Sequence, residues 1–190
     1  MIVYLHGFRS SPRSFKARLL AQRMCDLGRA AEFACPALPP SPRQAVETVQ
    51  TQFALSAADT LIGSSLGGCY ATWLAERHGC RAVLLNPAVR PARDLAARVG
   101  THTMYHDPSS RFEFLPEYVD ELQALQVEQI TDPQRYLLIA ATGDELLDWR
   151  EMVAAYPGAN HLIIEGGDHG LTDFAERVDD VLAFAGIVLR

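Results

Sequence analysis

The chain has no apolar run near the about 20 residues needed to cross a bilayer, and it does not open on a charged segment followed by a long hydrophobic one. The first absence argues against a membrane-spanning helix and the second against a secretory leader. Basic residues are too few for a general nucleic-acid or anionic-membrane surface, since 17 Lys and Arg stand against 23 Asp and Glu, a formal charge of −6. Cysteine is scarce. Cys25, Cys35, Cys69 and Cys80 show neither C-x-x-C nor Cys/His metal spacing, so no metal site is expected and they read as reduced, mostly buried thiols of a cytoplasmic protein. No Walker-type phosphate loop, dinucleotide fingerprint or zinc motif is present, and no cofactor is expected. Repeats, low-complexity tracts and dividing linkers are also missing, so residues 1–190 read as one domain.

What remains is an ordinary globular composition, 48% apolar and 21% charged. Apolar runs of strand length alternate with segments of helical period, which predicts an α/β fold with a mainly parallel sheet. The predicted strands are Ile2–His6, Ala31–Cys35, Thr60–Gly63, Ala82–Asn86, Tyr136–Ala141 and His161–Glu165. Several are apolar without alternation, as strands covered on both faces should be. Ser11 with Pro12 at the first helical position predicts a helix whose buried face carries Phe15, Leu19, Leu20, Met24 and Leu27, with Gly28 ending it. Ser41-Pro42-Arg43-Gln44 matches a capping box ahead of Val46, Val49 and Phe53. A last helix near Thr172 buries Phe174, Val178, Val181 and Leu182. From Val89 to about Ile130 no strand is predicted. An irregular stretch there precedes a helix from about Pro116 that turns Tyr118, Leu122 and Leu125 inward, and the insertion (about 89–130) reads equally as a lid or as a crossover helix with a long loop.

Gly63-Ser64-Ser65-Leu66-Gly67 reads G-x-S-x-G, entered from the apolar Leu61-Ile62 and left through a helix-compatible segment from Gly68 to His78. That strand–turn–helix context can lift one side chain above a sheet edge. Centring the motif on Ser64 would require glycine at 62 and 66, which are Ile and Leu, so Ser65 is the candidate nucleophile. A serine hydroxyl needs an adjacent base at neutral pH. His169, in Gly166-Gly167-Asp168-His169-Gly170 after the last predicted strand, fits best. His161 at a strand start, His78 at a helix end, and His102 and His106 in the insertion fit less well. The imidazole needs a carboxylate to fix its tautomer. Asp144, directly after the fifth predicted strand, is the first candidate. Asp148 is the rival, with a helix-start role as its plainer reading, and Asp168 reads as a capping residue. The order Ser65…Asp144…His169 is that of the α/β-hydrolase arrangement, and all three fall at the carboxyl ends of predicted strands, where open α/β sheets place their sites. The backbone N–H groups of Leu66 and Phe8, the latter in His6-Gly7-Phe8 after the first strand, are the candidate oxyanion hole. His6 reads as a loop tether, and the Phe8 side chain as part of an acyl pocket. Arg9, Arg13, Lys16 and Arg18 form a basic cluster, read as a solvated helix face with an acidic substrate group as the second reading.

With these residues placed, the chain resembles the YqiA-like (UPF0227) esterase family over nearly its full length. Carrying the resemblance are Ile2 through Phe8, Ile62 through Gly68, Leu85-Asn86-Pro87-Ala88, Gly143-Asp144-Glu145 and Gly166-Gly167-Asp168-His169. The resemblance implies a compact three-layer α/β/α hydrolase with sheet order 2-1-3-4-5-6, lacking the two N-terminal antiparallel strands of larger relatives. It also implies an intracellular carboxylesterase or acyl-thioesterase without a cofactor. The expected partner is a small-molecule ester or thioester. Two other readings stay open: a non-catalytic binding protein on this scaffold, and an acyl transferase or carbon–carbon hydrolase using the same triad.

Overall fold

In the computed structural model, which describes residues 1–189, strand β1 (Ile2–Leu5) lies inside the sheet and is buried along its whole length. Its alternating side chains feed two cores: Val3 and Leu5 pack on one face of the sheet, Ile2 and Tyr4 on the other. An unbroken apolar run is what a strand covered on both faces requires. Strands β3 (Thr60–Ser64) and β7 (Tyr136–Ala141) are likewise buried throughout, and β4 (Arg81–Leu85) is buried beyond its exposed Arg81. Short β2 (Phe33–Ala34) and the more exposed β8 (Asn160–Ile164) form the edges. All pairings in this sheet are parallel.

The spatial order is β2-β1-β3-β4-β7-β8. The six expected strands thus stand in the expected sequence, but two further strands intervene in the chain before the last pair. These are β5 (Gly100–Thr103) and β6 (Arg111–Phe114), an antiparallel hairpin within the segment where no strand was expected. Four-residue strands that pair only with each other leave little periodic signal.

Helices cover both faces. On one side lie α1 (Phe15–Asp26) and α7 (Val178–Phe184). On the other lie α2 (Pro42–Gln52), α3 (Leu66–His78), α5 (Pro116–Ala124) and α6 (Trp149–Ala155). A short α4 (Pro91–Leu95) leads into the hairpin. The α1 cap differs from expectation. Ser11 and Pro12 make a tight turn, with the Ser14 N–H on the Ser11 carbonyl (3.0 Å), and Ser14 caps the helix by accepting the Ala17 N–H (3.4 Å). The buried face is rotated accordingly: Lys16, Ala17, Leu20 and Met24 are buried, while Phe15 is 36% exposed. Leu20 and Met24, fully buried, contribute about 1.5–3 kcal/mol each. At α2 the expected cap is present, Ser41 Oγ accepting the Gln44 N–H, and the same hydroxyl donates to Glu121 on α5. The C-terminal stripe is buried as expected, though its first turn, Phe174–Arg177, is a 3₁₀ helix. Of the four thiols Cys69 and Cys80 are buried, Cys35 is half-buried and Cys25 is exposed, and none is in a disulfide. No described helix is long and apolar enough to cross a membrane.

Candidate active site

Ser65 sits between β3 and α3 with φ 54° and ψ −120°, a backbone conformation that costs energy in any residue bearing a Cβ. The turn is tight enough that its flanking glycines are obligatory. A Cβ on Gly63 would stand 2.2 Å from the Gly67 carbonyl oxygen, and one on Gly67 would stand 2.0 Å from that of Leu5. This close approach of α3 to β1 and β3 directs Ser65 away from the sheet. Its amide is held by the Leu85 carbonyl (3.0 Å), and its carbonyl accepts the Gly68 and Ala88 N–H groups.

Ser65, His169 and Asp144 come together at the carboxyl edge of the sheet. Ser65 Oγ lies 2.9 Å from His169 Nε2, and His169 Nδ1 lies 2.8 Å from Asp144 Oδ2. The Asp144 side chain is fully buried, and its Oδ1 accepts the Leu146 and Leu147 N–H groups at 2.8 and 2.9 Å. Asp148 is elsewhere engaged: it caps α6, accepting the Arg150 N–H (2.9 Å). Asp168 caps the following turn through Thr172. Among the other histidines, His161 contacts the Tyr156 carbonyl, His78 pairs with Gln50, and His102 packs on Phe8.

The loop after β1 crosses the front of Ser65. His6 is buried there; its Nε2 accepts the Leu38 N–H and its Nδ1 faces the Gly7 carbonyl, both at 3.1 Å. The acceptor role leaves the proton on Nδ1, and burial holds the imidazole below its ordinary pKa despite the hydrogen bond to Gly7. Neither the Phe8 nor the Leu66 N–H has an acceptor among the described residues. The Phe8 ring meets His102, Phe112 and Phe114 of the hairpin edge-on, with centroids 5.0, 5.6 and 5.3 Å away. Arg9 fastens the same hairpin, its Nε donating to the Thr103 carbonyl (2.8 Å) and its guanidinium lying over Tyr105. The hairpin is therefore docked on the loop that follows β1.

The basic cluster is not a uniform solvated face. Arg13 and Arg18 are exposed, but Lys16 is 6% exposed, its ammonium donating to the Gly170 carbonyl beside His169. Burial pulls the Lys16 pKa down to about 8, with Asp168 and Asp144 opposing the shift. Two adjoining cavities of about 300 and 420 Å³ flank Phe8; Leu66 lines the first, Ser65 and His169 the second. Among the described residues no group of three or more His, Cys, Asp or Glu side chains is placed to hold a metal ion.

Two residues with no role assigned from the sequence hold the His169 loop. Glu145 accepts the His169 N–H (2.9 Å). Asn86, fully buried at the end of β4 with φ 43°, donates to the Asp168 and His169 carbonyls (3.0 and 3.1 Å) and accepts the Ala141 N–H (2.9 Å). An Asn just past a strand and before Pro87 is the available signal, because Asn tolerates positive φ. Asn86→Ala strands the buried Ala141 N–H and two half-buried carbonyls and is expected to cost about 3 kcal/mol by urea unfolding. Any turnover that uses His169 should fall as well, because the His169 loop loses its anchor.

Solved structures share this fold. The alpha/beta hydrolase domain-containing protein 10 from mouse is 17% identical, with a TM-score of 0.70 over 96% of this chain and 89% of that one. Est1E from Butyrivibrio proteoclasticus, in a structure with bound ferulic acid, is 15% identical, with a TM-score of 0.69 over 96% of this chain and 87% of that one. The esterase domain of a Rhodothermus marinus protein is 19% identical, with a TM-score of 0.65 over 97% and 85%. At these identities the likeness is one of fold, the α/β-hydrolase fold. A sequence profile described as Uncharacterised protein family (UPF0227) matches residues 1–186, and the chain belongs to that family.

Proposed function

We propose that this protein is a serine hydrolase that cleaves carboxylic esters or acyl-thioesters of small molecules through an acyl-enzyme. The observation that carries the reading is the hydrogen-bonded chain Ser65–His169–Asp144 at the sheet edge. Ser65 Oγ attacks the acyl carbon while His169 Nε2 takes its proton, and Asp144 orients and stabilises the resulting imidazolium. The free amides of Phe8 and Leu66 receive the oxyanion. Collapse breaks the bond from the acyl carbon to the leaving oxygen or sulfur, and His169 passes its proton to that atom. Water then attacks the acyl-enzyme with His169 as base, releasing the acid and restoring the Ser65 hydroxyl. Esterases among the similar folds support ester chemistry over other uses of the triad.

In this reading residues 1–190 act as one domain, and the β5–β6 hairpin, fixed to Phe8 and Arg9, is a cover over the cleft. The reading takes the enzyme to be cytoplasmic, and four free cysteines are compatible with a reducing compartment. An active-site fluorophosphonate should give a single covalent adduct located by mass spectrometry on Ser65 in folded protein, and none after unfolding. Absence of that adduct would end the reading.

A further inference from the structure

The cleft over Ser65 is cationic on a chain whose formal charge is −6. No carboxylate lines either of its two lobes among the described residues. In the lobe holding Ser65 and His169, the buried Lys16 ammonium has a single neutral acceptor, the Gly170 carbonyl, and forms no ion pair with a described carboxylate. Arg13 lines the same lobe, exposed, with its guanidinium also outside the ion pairs of the described residues. The other neighbours of the Lys16 ammonium are the Phe15 ring, with its centroid 5.3 Å from Nζ, and the longer-range charges of Asp168 and Asp144. Two of its three N–H groups therefore lack an acceptor among the described residues, and an anion entering the cavity would supply one. The other lobe has an apolar wall of Leu38, Pro39, Pro40, Tyr70 and Phe112; of its two arginines, Arg9 is engaged by Thr103 and Tyr105 and Arg111 is exposed.

The direction of the reaction assigns the lobes. His169 hands its proton to the leaving atom, so the leaving group lies beside the imidazole, in the lobe with Lys16 and Arg13. The acyl chain runs past the Leu66 amide along the apolar wall of the other lobe. We infer that the substrate is an ester or thioester whose leaving group carries an anionic oxygen group, a carboxylate or phosphate, bound by Lys16 and Arg13. The inference rests on the acyl-enzyme reading and adds a substrate class to it.

The test compares butyrate esters of 3-hydroxybenzoate, 3-hydroxybenzamide and 3-hydroxyphenyl phosphate with monophenyl succinate, which carries its charge on the acyl side. Each kcat/KM is divided by that ester's hydroxide-catalysed rate. The carboxylate or the phosphate ester should exceed the carboxamide by about tenfold, and the larger of the two ratios tells which anion the lobe takes. The preference should shrink in high salt because the Arg13 end is open to solvent. It should fall toward one in Lys16→Met and below one in Arg13→Glu, whose exposed position spares the fold. Equal turnover of charged and neutral esters, or ratios unmoved in both variants, overturns the inference and leaves the serine-hydrolase reading standing. Preference for the succinate puts the anion in the wrong lobe and also overturns it. No turnover of any ester together with no Ser65 adduct overturns both.

Discussion

Replacing Ser65 with alanine is expected to lower kcat toward activated esters by about 10⁴-fold or more, with little change in the urea midpoint. The two halves of that expectation have separate causes. The hydroxyl is the only atom removed, and in the proposed reaction no other group can form the bond to the acyl carbon. What is left is water attacking a substrate held beside the Phe8 and Leu66 amides, and catalysis of that kind retains roughly 10³–10⁴ over the uncatalysed rate. Stability should be nearly unaffected because alanine keeps the Cβ, so the cost of φ 54°, ψ −120° is common to both proteins. The turn is held by backbone bonds, Ser65 N–H to Leu85 and Gly68 N–H to Ser65, that the substitution does not touch. Steady-state kinetics on purified variant, checked by fluorophosphonate treatment for traces of wild type, would decide the matter. Turnover within tenfold of wild type would remove Ser65 from the chemistry.

The Ser65 turn was legible because every part of it carries a sequence mark: glycines where α3 touches β1 and β3, an apolar strand before, a helical segment after. The β7 strand, Tyr136–Ala141, was legible to the residue because burial on both faces leaves no polar position to blur its ends. Lys16 was misread for a different reason. Residues 16, 20 and 24 fall on one helical face, which in α1 is the buried one, but a lysine on an apolar stripe looks like a boundary of the stripe rather than its member. Its polar end finds Gly170, 154 positions away, and nothing local announces that contact. The hairpin shows the same limit. Phe112 and Phe114 alternate with Arg111 and Glu113 as a half-buried strand should, whereas Gly100–Thr103 becomes a strand only by pairing with them. Asn86 and Glu145 act through backbone groups of a distant loop, a role no spacing in one sequence encodes.

Asp144→Asn is expected to slow turnover by up to about 10⁴-fold, and the reason is a tautomer. In the wild-type site Oδ1 accepts two backbone N–H groups, from Leu146 and Leu147, while Oδ2 faces His169 Nδ1. An asparagine here has one carbonyl oxygen, and the two amide donors claim it. Its NH₂ is then turned toward His169 and donates to Nδ1, so the ring proton moves to Nε2. That nitrogen, 2.9 Å from Ser65 Oγ, can no longer accept the hydroxyl proton. The site keeps its shape and loses its base. Asp148→Asn is the matched comparison, since asparagine caps a helix as well as aspartate does, and its kcat should stay within a few-fold of wild type. A larger loss at 148 than at 144 would reverse the assignment of the acid. If instead both variants kept near-normal rates, His169 would not be working through a carboxylate at all.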